Sequence, residues 1–363
     1  MNSIDQPRKP SSMSRRQALP SAHDVARLAG VSQAAVSRAF TPGASIAKST
    51  REKVLVAARS LGYRPNLLAR SLITGKSGIV GVVVGDARYP FFLAALDALS
   101  RRLSRAGMHM LVHTAGGRGP VDQHVEGLLE YRPDAVLLMG ARISPKLAAR
   151  CDQEQTAVVS FSRPARRVRG VTSVAGDNLR GGAAIAEHFL AQGYRRLAVI
   201  GGVAGMPTGL DREKGFNDHL KAHGLPEAER IAGDFGRQGA IEAMRALLSR
   251  KPWPDAVFCA NDDMALAAIE VARYEFGLQI GPEIGIAGFD DIEQAAWPSF
   301  DLTTYSLPVD DLIEMTFEAL SGGGELAGRG AIVGGTLKVR GSTRRNAVAP
   351  GAGKARSAAS ADA

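Results

Sequence analysis

Residues 24–38 read D-V-A-R-L-A-G-V-S-Q-A-A-V-S-R, and this stretch decides how the N-terminal part of the chain folds. Val25, Leu28 and Ala29 recur at helical spacing and predict a short amphipathic helix. Gly30 readily adopts a positive φ, which favours the end of a helix and a tight turn at this position.

A second short helix is predicted directly after the turn. Ser32 is a typical N-cap residue, and Val36 continues the apolar stripe. Two helices joined in this way form a helix-turn-helix, whose second helix can enter the DNA major groove with Gln33, Ala34 and Arg38 facing outward. Because a motif as short as A-G-V-S also occurs by chance, an ordinary surface helical hairpin remains the alternative from these residues alone.

The sequence that follows supports the DNA-binding interpretation. Residues 50–63 predict a third helix that closes a small core, and P-N at 65–66 and A-R-S-L at 69–72 come next. From Ser21 to Leu72 the chain resembles, nearly residue for residue, the DNA-binding headpiece and hinge of the LacI/GalR family of bacterial transcriptional regulators. A sequence-specific transcriptional regulator, in most cases a repressor, is what this resemblance implies.

In that family the positions that match Gln33, Ala34 and Arg38 read the operator. Gln33 can pair bidentately with adenine and Arg38 with guanine, whereas Ala34 could only touch a thymine methyl. A phosphate contact is the alternative role for Arg38. Ser21, Ser32 and Ser37 are expected to cap helices or to bind phosphate. The other expected DNA contacts are Asn66, Ala69, Arg70 and Leu72.

Leu72 is expected to act as a wedge. By the resemblance it inserts into the minor groove at the centre of a palindrome, where unstacking a base step needs an apolar side chain. A linker leucine that packs on the core is the alternative. Residues 66–72 are too few for a stable isolated helix, so we expect them to fold only when two copies meet on DNA. One headpiece reads a half-site, which predicts a homodimer on a palindromic double-stranded operator.

The net positive charge of the chain is concentrated at its N-terminus. Residues 1–76 hold 13 Lys and Arg against 3 Asp and Glu, a balance of +10. The rest of the chain holds 32 basic and 33 acidic residues, a balance of −1. A solvated charged surface would not concentrate the excess in this way, whereas a module that binds a polyanion would.

Residues 79–339 have a different rhythm, in which short apolar strands alternate with amphipathic helices. This alternation predicts parallel sheets covered on both faces, with too many units for one sheet. We therefore expect two α/β subdomains with a cleft between them, similar to the periplasmic-binding-protein-like core of the LacI/GalR family. The resemblance implies that the chain crosses between subdomains near Gly176, Leu307 and Leu337. A single last strand is predicted over residues 331–339.

The expected fold is thus an all-α helix-turn-helix headpiece plus an α/β core of two parallel-sheet subdomains. The expected segments are a disordered basic arm at 1–20, the headpiece at 21–64, a hinge helix and linker at 65–77, the effector-binding and dimerisation core at 78–345, and a disordered tail at 346–363. An extended start-codon assignment is the alternative explanation of the arm. The tail lacks the leucine heptads that a tetramerising helix would need.

Residues that follow the predicted strands are candidates for a ligand site, because α/β sheets hold ligands at the carboxyl ends of their strands. By the resemblance, Arg212 grips an effector and Phe235 packs on it. An arginine beside carboxylate and amide groups in an apolar-walled cleft suits a sugar, a sugar acid or a similar metabolite. The expected effector-binding residues are Asp86, Tyr89, Phe91, Ser162, Arg163, Arg212, Phe235, Asn261 and Asp290.

Several of these residues have a structural alternative. Asp290 could only cap a helix, Asp262 is expected to cap one, and Phe92 is expected in the core. One departure from the family pattern matters for the ligand. The usual Asp-Arg after the strand at Val158 is replaced by Ser162-Arg163, which puts the ordinary sugar-hydroxyl contact in doubt.

The sequence predicts no catalytic, metal or cofactor site. G-G-V-A-G at 201–205 lacks dinucleotide-binding spacing, G-G-G at 322–324 is not followed by Lys-Ser/Thr, and neither H-E-x-x-H nor G-x-S-x-G occurs. A periplasmic-type sugar-binding protein is the rival that the core alone would allow. The headpiece, the N-terminus without a signal-peptide pattern and the absence of a membrane-length apolar segment favour a cytoplasmic protein with no membrane partner.

Overall fold

The computed structural model describes residues 20–41, 43–64, 75–116, 121–163, 168–321 and 330–345. The chain divides into two compact units, Met1–Ser77 and Gly78–Ala363. Most of the predicted arm, the predicted hinge helix and the predicted tail lie outside the described residues, so what the sequence predicts for them stays a prediction.

The first unit is a three-helix cluster. Its helices are α1 (Ala22–Ala29), α2 (Gln33–Phe40) and α3 (Lys48–Leu61). Val25, Val36 and Val54 meet in its core and are fully buried. The turn forms as predicted, with Gly30 at φ 65° directly after α1.

The prediction that Leu28 belongs to the buried stripe of α1 is wrong, because its side chain is 56% exposed. The packed face of this short helix is centred on Val25, Ala26 and Ala29. Leu28 lies roughly 100° around the helix from the centre of that face, which places it at the surface.

The second unit contains two six-stranded sheets. The strands of the first sheet are β1 (Ile79–Val84), β2 (His109–Thr114), β3 (Ala135–Met139), β4 (Ala157–Phe161), β5 (Val171–Gly176) and β11 (Gly330–Val333). They lie in the order β11-β5-β4-β3-β1-β2, and all their pairings are parallel. The helices of this half are α4 (Pro90–Arg105), α5 (Asp122–Leu129), α6 (Pro145–Gln153) and α11 (Val309–Leu320).

The second sheet is built in the same way. Its strands are β6 (Leu197–Gly201), β7 (Glu229–Ala232), β8 (Ala256–Cys259), β9 (Gly285–Asp290), β10 (Thr303–Ser306) and β12 (Thr336–Lys338). The order is β12-β10-β9-β8-β6-β7, and only β12 is antiparallel to its neighbour among the described pairings. The helices are α7 (Asn178–Ala191), α8 (Pro207–Ala222), α9 (Arg237–Leu248) and α10 (Asp262–Glu270), the last continued by a π-helical turn (Val271–Glu275).

The chain passes between the two sheets three times, after β5, between β10 and α11, and between β11 and β12. The predicted single strand over residues 331–339 is therefore wrong, since β11 belongs to the first sheet and β12 to the second. Gly334 and Gly335 make the break, and a Cβ on Gly335 would lie 2.3 Å from the Ser306 carbonyl oxygen. The third crossing thus precedes Leu337 by two residues.

Two strands of the second sheet, β7 and β10, have little apolar pattern in their sequences. β7 is a short edge strand with a polar sequence, E-R-I-A. β10 has the sequence T-T-Y-S, yet Thr303 and Thr304 are fully buried. Their burial is tolerated because the two hydroxyls are hydrogen-bonded to Thr343 and Asp262. A buried strand whose polar side chains find partners elsewhere in the fold carries no apolar signal in the sequence.

Helices α7 and α8 pack closely enough to require glycine. A Cβ on Gly182 would lie 2.0 Å from the Arg212 carbonyl oxygen. We expect Gly182→Ala to strain this contact by about 3 kcal/mol, which exceeds the gain of about 1 kcal/mol in helix propensity. Urea unfolding should show a net loss of about 2 kcal/mol.

Gly127→Ala is the matched control, because a Cβ at that position in α5 would meet the His113 ring at an ordinary 3.5 Å. This variant should be as stable as the parent or gain up to about 1 kcal/mol. Equal effects of the two substitutions would mean that α7 and α8 do not pack as described.

Candidate functional site

Serine hydroxyls cap both helices of the helix-turn-helix. The Ser21 Oγ accepts from the Asp24 N–H at 3.3 Å. The Ser21 hydroxyl and backbone N–H also donate to the Asp24 carboxylate, at 2.7 and 3.0 Å, and these bonds lower the pKa of Asp24. The Ser32 Oγ accepts from the Ala35 N–H at 3.2 Å. The two serines therefore have the capping role that the sequence predicts, while a phosphate contact stays a prediction.

Helix α2 has one buried face and one exposed face. Val36 and Ala39 pack into the three-helix core. The predicted reading residues Gln33, Ala34 and Arg38 are exposed on the opposite face. Ser37 is exposed beside them inside α2 and is not the N-cap of either helix, so its phosphate contact stays a prediction. Within the described part of the chain, the Arg38 guanidinium is held only by a 3.4 Å bond from Nε to the Ala34 carbonyl oxygen. A short exposed helix face of this kind can reach base edges in a major groove.

The remaining predicted DNA contacts lie outside the described residues. They are Asn66, Ala69, Arg70 and Leu72.

The second unit contains a cleft of about 510 Å³ between loops of its two halves. All nine residues that the sequence predicts for an effector site line it. Asp86, Tyr89, Phe91, Ser162 and Arg163 come from the half that carries the first sheet, and Arg212, Phe235, Asn261 and Asp290 come from the half that carries the second. Contact of these side chains with a ligand stays a prediction.

Arg212 is the centre of a buried hydrogen-bond network at the cleft, with only 2% of its surface exposed. Its Nε donates to Asn178 Oδ1 at 2.8 Å, Nη1 to the Ala260 carbonyl oxygen at 2.5 Å, and Nη2 to Asp290 Oδ1 at 2.7 Å. The guanidinium also lies 3.7 Å from the centre of the Phe289 ring. These contacts fix the orientation of the guanidinium toward the cleft.

The alternative that Asp290 only caps a helix is not what the structure shows. Its buried carboxylate pairs with Arg212 and accepts a hydrogen bond of 2.5 Å from the Tyr89 hydroxyl. Burial raises the pKa of Asp290, and Arg212 and the Tyr89 hydroxyl oppose this. Burial, followed by the charge of Asp290, holds the pKa of Tyr89 well above its usual range.

Two hydrogen bonds join the opposite sides of the cleft. One is the Tyr89–Asp290 bond, and in the other the Thr208 hydroxyl donates to the Ser162 carbonyl oxygen at 3.1 Å. Tyr89 and Ser162 belong to the half with the first sheet, and Thr208 and Asp290 to the half with the second. A molecule that enters the cleft would meet both bonds.

The helix-capping role predicted for Asp262 belongs to its neighbour. Asn261 Oδ1 accepts from the Met264 N–H at 2.9 Å and so caps α10. Asp262 is fully buried and accepts from the Thr304 hydroxyl at 2.6 Å and from the Ile292 N–H at 2.9 Å. The prediction was wrong because these partners come from distant parts of the sequence.

Phe91 was expected to contact the effector and Phe92 to lie in the core, but each residue both packs with the core and lines the cleft. Phe91 is buried and stacks on Phe161, although its edge also reaches the cleft. Phe92 was predicted to lie in the core. Its partly buried ring packs against the hydrophobic core and also forms part of the wall of the cleft.

Sequence reasoning missed several cleft residues, among them Val203, Met206, Thr208 and Asp234. Their positions gave a usable signal, because the first three follow β6 and Asp234 follows β7.

Comparison with known proteins identifies the family. A family model described as bacterial regulatory proteins, lacI family, matches residues 21–66, and a periplasmic binding protein-like domain matches residues 186–343. The ribose operon repressor of Escherichia coli (strain K12) is 31% identical over 304 residues, which is 82% of this chain and 91% of the repressor. The chain belongs to the LacI family of bacterial regulatory proteins. It is therefore a DNA-binding transcriptional regulator with an effector-binding core.

Solved structures resemble the LacI-family chain over nearly its whole length. A structure titled transcriptional regulator CelR-cellobiose complex is 28% identical, covers 89% of this chain and 99% of its own, and has a TM-score of 0.65. A lac repressor dimer bound to operator and the anti-inducer ONPF has a TM-score of 0.77 and covers 90% and 99% of the two chains. At 24% identity it supports the fold alone. Within the described ranges of this LacI-family chain, none of the helices has the length and apolar character needed to cross a bilayer.

Proposed function

We propose that this LacI-family regulator is a repressor that binds a palindromic operator as a homodimer. A small molecule bound in the cleft changes its affinity for that operator. The observation that carries the proposal is the presence, in one chain, of an exposed reading face on α2 and a cleft lined by all nine expected effector residues. The similarity to the ribose operon repressor supports repression as the direction of control.

The cleft chemistry supports a polyhydroxylated effector. Arg212, Asp290 and Asn261 offer donors and acceptors, and Phe92 and Phe235 offer apolar walls. Small-molecule sites combine a few directed polar groups with such walls, typically in volumes of about 300–1,000 Å³. The cellobiose complex of CelR, a related regulator, supports a sugar or a sugar derivative.

Control of DNA binding follows from differential affinity. An effector that binds one degree of cleft closure more tightly shifts the population toward it. The Tyr89–Asp290 and Thr208–Ser162 hydrogen bonds are the contacts that closure makes and opening breaks. We propose that closure alters the spacing of the two hinge segments at residues 66–72 and so decides whether they fold together in the minor groove.

A periplasmic-type sugar-binding protein is the second candidate. It would have the cleft, but it would have no use for the capped helix-turn-helix with its exposed polar face. We also propose that the protein acts in the cytoplasm, where its DNA target lies, and we propose no catalytic activity for it.

Selection from genomic DNA tests the proposed function. Full-length protein should enrich fragments that contain an inverted repeat, with an affinity that falls steeply as salt is raised. Adding a pool of sugars, sugar acids and nucleosides should change the enrichment. No preference for any inverted repeat, with or without metabolites, would contradict the proposal.

Leu72→Ala tests the wedge expected at the hinge. Loss of the apolar side chain should weaken specific operator binding about tenfold or more, because the unstacked base step loses its support. Effector affinity, measured by calorimetry on the same preparation, should stay within about twofold.

Leu72→Met is the matched control, since methionine is also used as a wedge. It should keep most of the operator affinity. Equal loss of operator and effector binding in Leu72→Ala would instead indicate a leucine that packs on the core.

A further inference from the structure

The loops at the carboxyl edge of the first sheet are rich in arginine. The described residues that come directly after β1, β3 and β4 include three arginines, Arg88, Arg142 and Arg163, and one acidic residue, Asp86. Because the carboxyl ends of parallel strands meet at one edge, this excess of positive charge is gathered on one side of the cleft.

Most of the cleft arginines already have a counter-ion. Arg88 Nε and Nη2 donate to the two Asp86 oxygens at 3.2 and 3.3 Å. Arg212 pairs with Asp290 at 2.7 Å. Neither guanidinium therefore brings an uncompensated charge to the cleft.

Arg163 differs from both. Its side chain lines the cleft and is partly buried. The Arg163 carbonyl oxygen accepts from the Ser160 hydroxyl at 3.2 Å, but the guanidinium forms no hydrogen bond or ion pair with any residue in the described ranges. Burial and then the like charge of Arg142 lower the pKa of Arg163 to about 10, and no carboxylate opposes them. The guanidinium is still protonated at neutral pH, so it is a partly desolvated cation beside a second cation.

Its neighbour Ser162 explains why the charge is uncompensated. The family pattern places an aspartate at this position, directly before the arginine. Here the buried Ser162 adopts φ 64° and its carbonyl oxygen accepts the Thr208 hydroxyl. A serine cannot neutralise the adjacent guanidinium. A cation removed from water without a partner costs free energy, which a bound anion would recover.

We propose that Arg163 receives an oxyanion of the effector, so that the natural ligand is an acidic small molecule, with a carboxylate or a phosphate, rather than a neutral sugar. This inference rests on the proposed function, because it names the chemistry of the ligand in the same cleft. The anionic group lies on the side of Arg163 and Arg142. The hydroxyl groups of the ligand face Arg212, Asn261 and Asp290.

Guanidinium geometry suits both anions. The planar fork of arginine binds a carboxylate or a phosphate with two parallel hydrogen bonds, which a sugar hydroxyl cannot match. A volume of about 510 Å³ accommodates a monosaccharide with one such group.

Thermal unfolding of the full-length protein tests the inference without knowledge of the natural effector. The probes are inorganic phosphate, sodium gluconate and glucose, each compared with sodium chloride at equal ionic strength. Phosphate or gluconate at 50 mM should raise the Tm of the core by about 3 °C over chloride, and glucose by clearly less, because a ligand that binds only the folded state shifts unfolding upward.

Arg163→Met should remove the anion-specific increment, so that phosphate and gluconate no longer raise the Tm more than glucose does. Without added anion its Tm should equal or exceed that of the parent, since an unpaired buried charge has been removed. Arg169→Met, which removes an exposed arginine of the same loop, is the matched control and should keep the full increment. The control also accounts for phosphate bound by the basic N-terminal unit.

Phosphate and gluconate distinguish whether the anionic group of the effector is a phosphate or a carboxylate. A response to both supports a carboxylate or a phosphate, and a response to phosphate alone supports a phosphate ester. An anion-specific increment that survives in Arg163→Met, or its absence in the parent, overturns the inference. Operator selection decides the proposed function separately, so a regulator that binds DNA but prefers neutral sugars would refute only the present inference.

Discussion

Replacement of Arg212 by alanine is expected to lower the free energy of unfolding of the core by about 3–5 kcal/mol. The substitution leaves the Asp290 carboxylate buried without its cation, and it removes the donors that serve Asn178 Oδ1 and the Ala260 carbonyl oxygen. Breaking a buried ion pair from one side costs far more than the pair contributes, because the remaining charge stays desolvated. The effector response should be lost as well, with DNA binding retained at temperatures where the core is folded.

The pH dependence of this loss gives a second readout. Burial raises the pKa of Asp290, and Arg212 is the largest influence that opposes the rise. Without Arg212 the pKa of Asp290 in the folded state should rise further above its unfolded value. A carboxyl group of this kind favours folding while it is protonated and loses that contribution as the pH rises through its folded pKa. The stability deficit of Arg212→Ala should therefore grow from acidic to neutral pH.

Two further variants make the result specific. Arg212→Met combined with Asp290→Asn removes both charges, and the double variant should be destabilised by less than the sum of the single ones. Arg245→Ala breaks a well-formed but solvent-exposed pair with Glu275, whose bonds measure 2.7 and 2.8 Å, and should cost about 1 kcal/mol or less. A loss in Arg212→Ala no larger than in Arg245→Ala would contradict the buried network.

Arg38→Met is expected to reduce specific operator affinity by about 10- to 100-fold per half-site, which corresponds to 1–3 kcal/mol for a bidentate contact with guanine. Because a dimer presents two reading helices, the loss on a full palindrome should be larger. A library of operators with each base pair varied should show that the variant no longer discriminates at one position of each half-site. Because Arg38 is exposed on α2, its replacement should not destabilise the fold. An unchanged Tm of the variant would show that the loss of affinity is not a folding defect.

The alternative role of Arg38 has a different signature. If the side chain binds phosphate, affinity should fall uniformly across the library, and the salt dependence should decrease by about one contact per headpiece. Arg59→Met removes an equal charge from the exposed surface of α3 and controls for the general field of the headpiece. Unchanged specificity in Arg38→Met would remove this residue from the set that reads bases.

The helix-turn-helix could be predicted closely from sequence because its determinants are local. The cap at Ser32, the turn at Gly30 and the buried Val25 and Val36 all lie within a stretch of fifteen residues. Within this stretch, the predicted burial of Leu28 was wrong. A helix of eight residues is too short for its apolar pattern to define the buried face accurately. The strand and helix alternation of the core was likewise readable, because fully buried parallel strands are continuously apolar.

Tertiary structure decided which polar groups meet. The Tyr89 hydroxyl finds Asp290 across 201 residues of sequence, and Arg212 finds the same carboxylate across 78. The role of Asp262, the burial of the threonines in β10 and the break between β11 and β12 depend on such distant partners. The sequence could place all nine effector candidates after the correct strands. It could not show that Arg163, alone among the described arginines that line the cleft, has no carboxylate partner within the described residues. Helix caps and apolar periods are set by near neighbours in the chain, whereas the compensation of a buried charge depends on which side chains the fold brings into the same desolvated space.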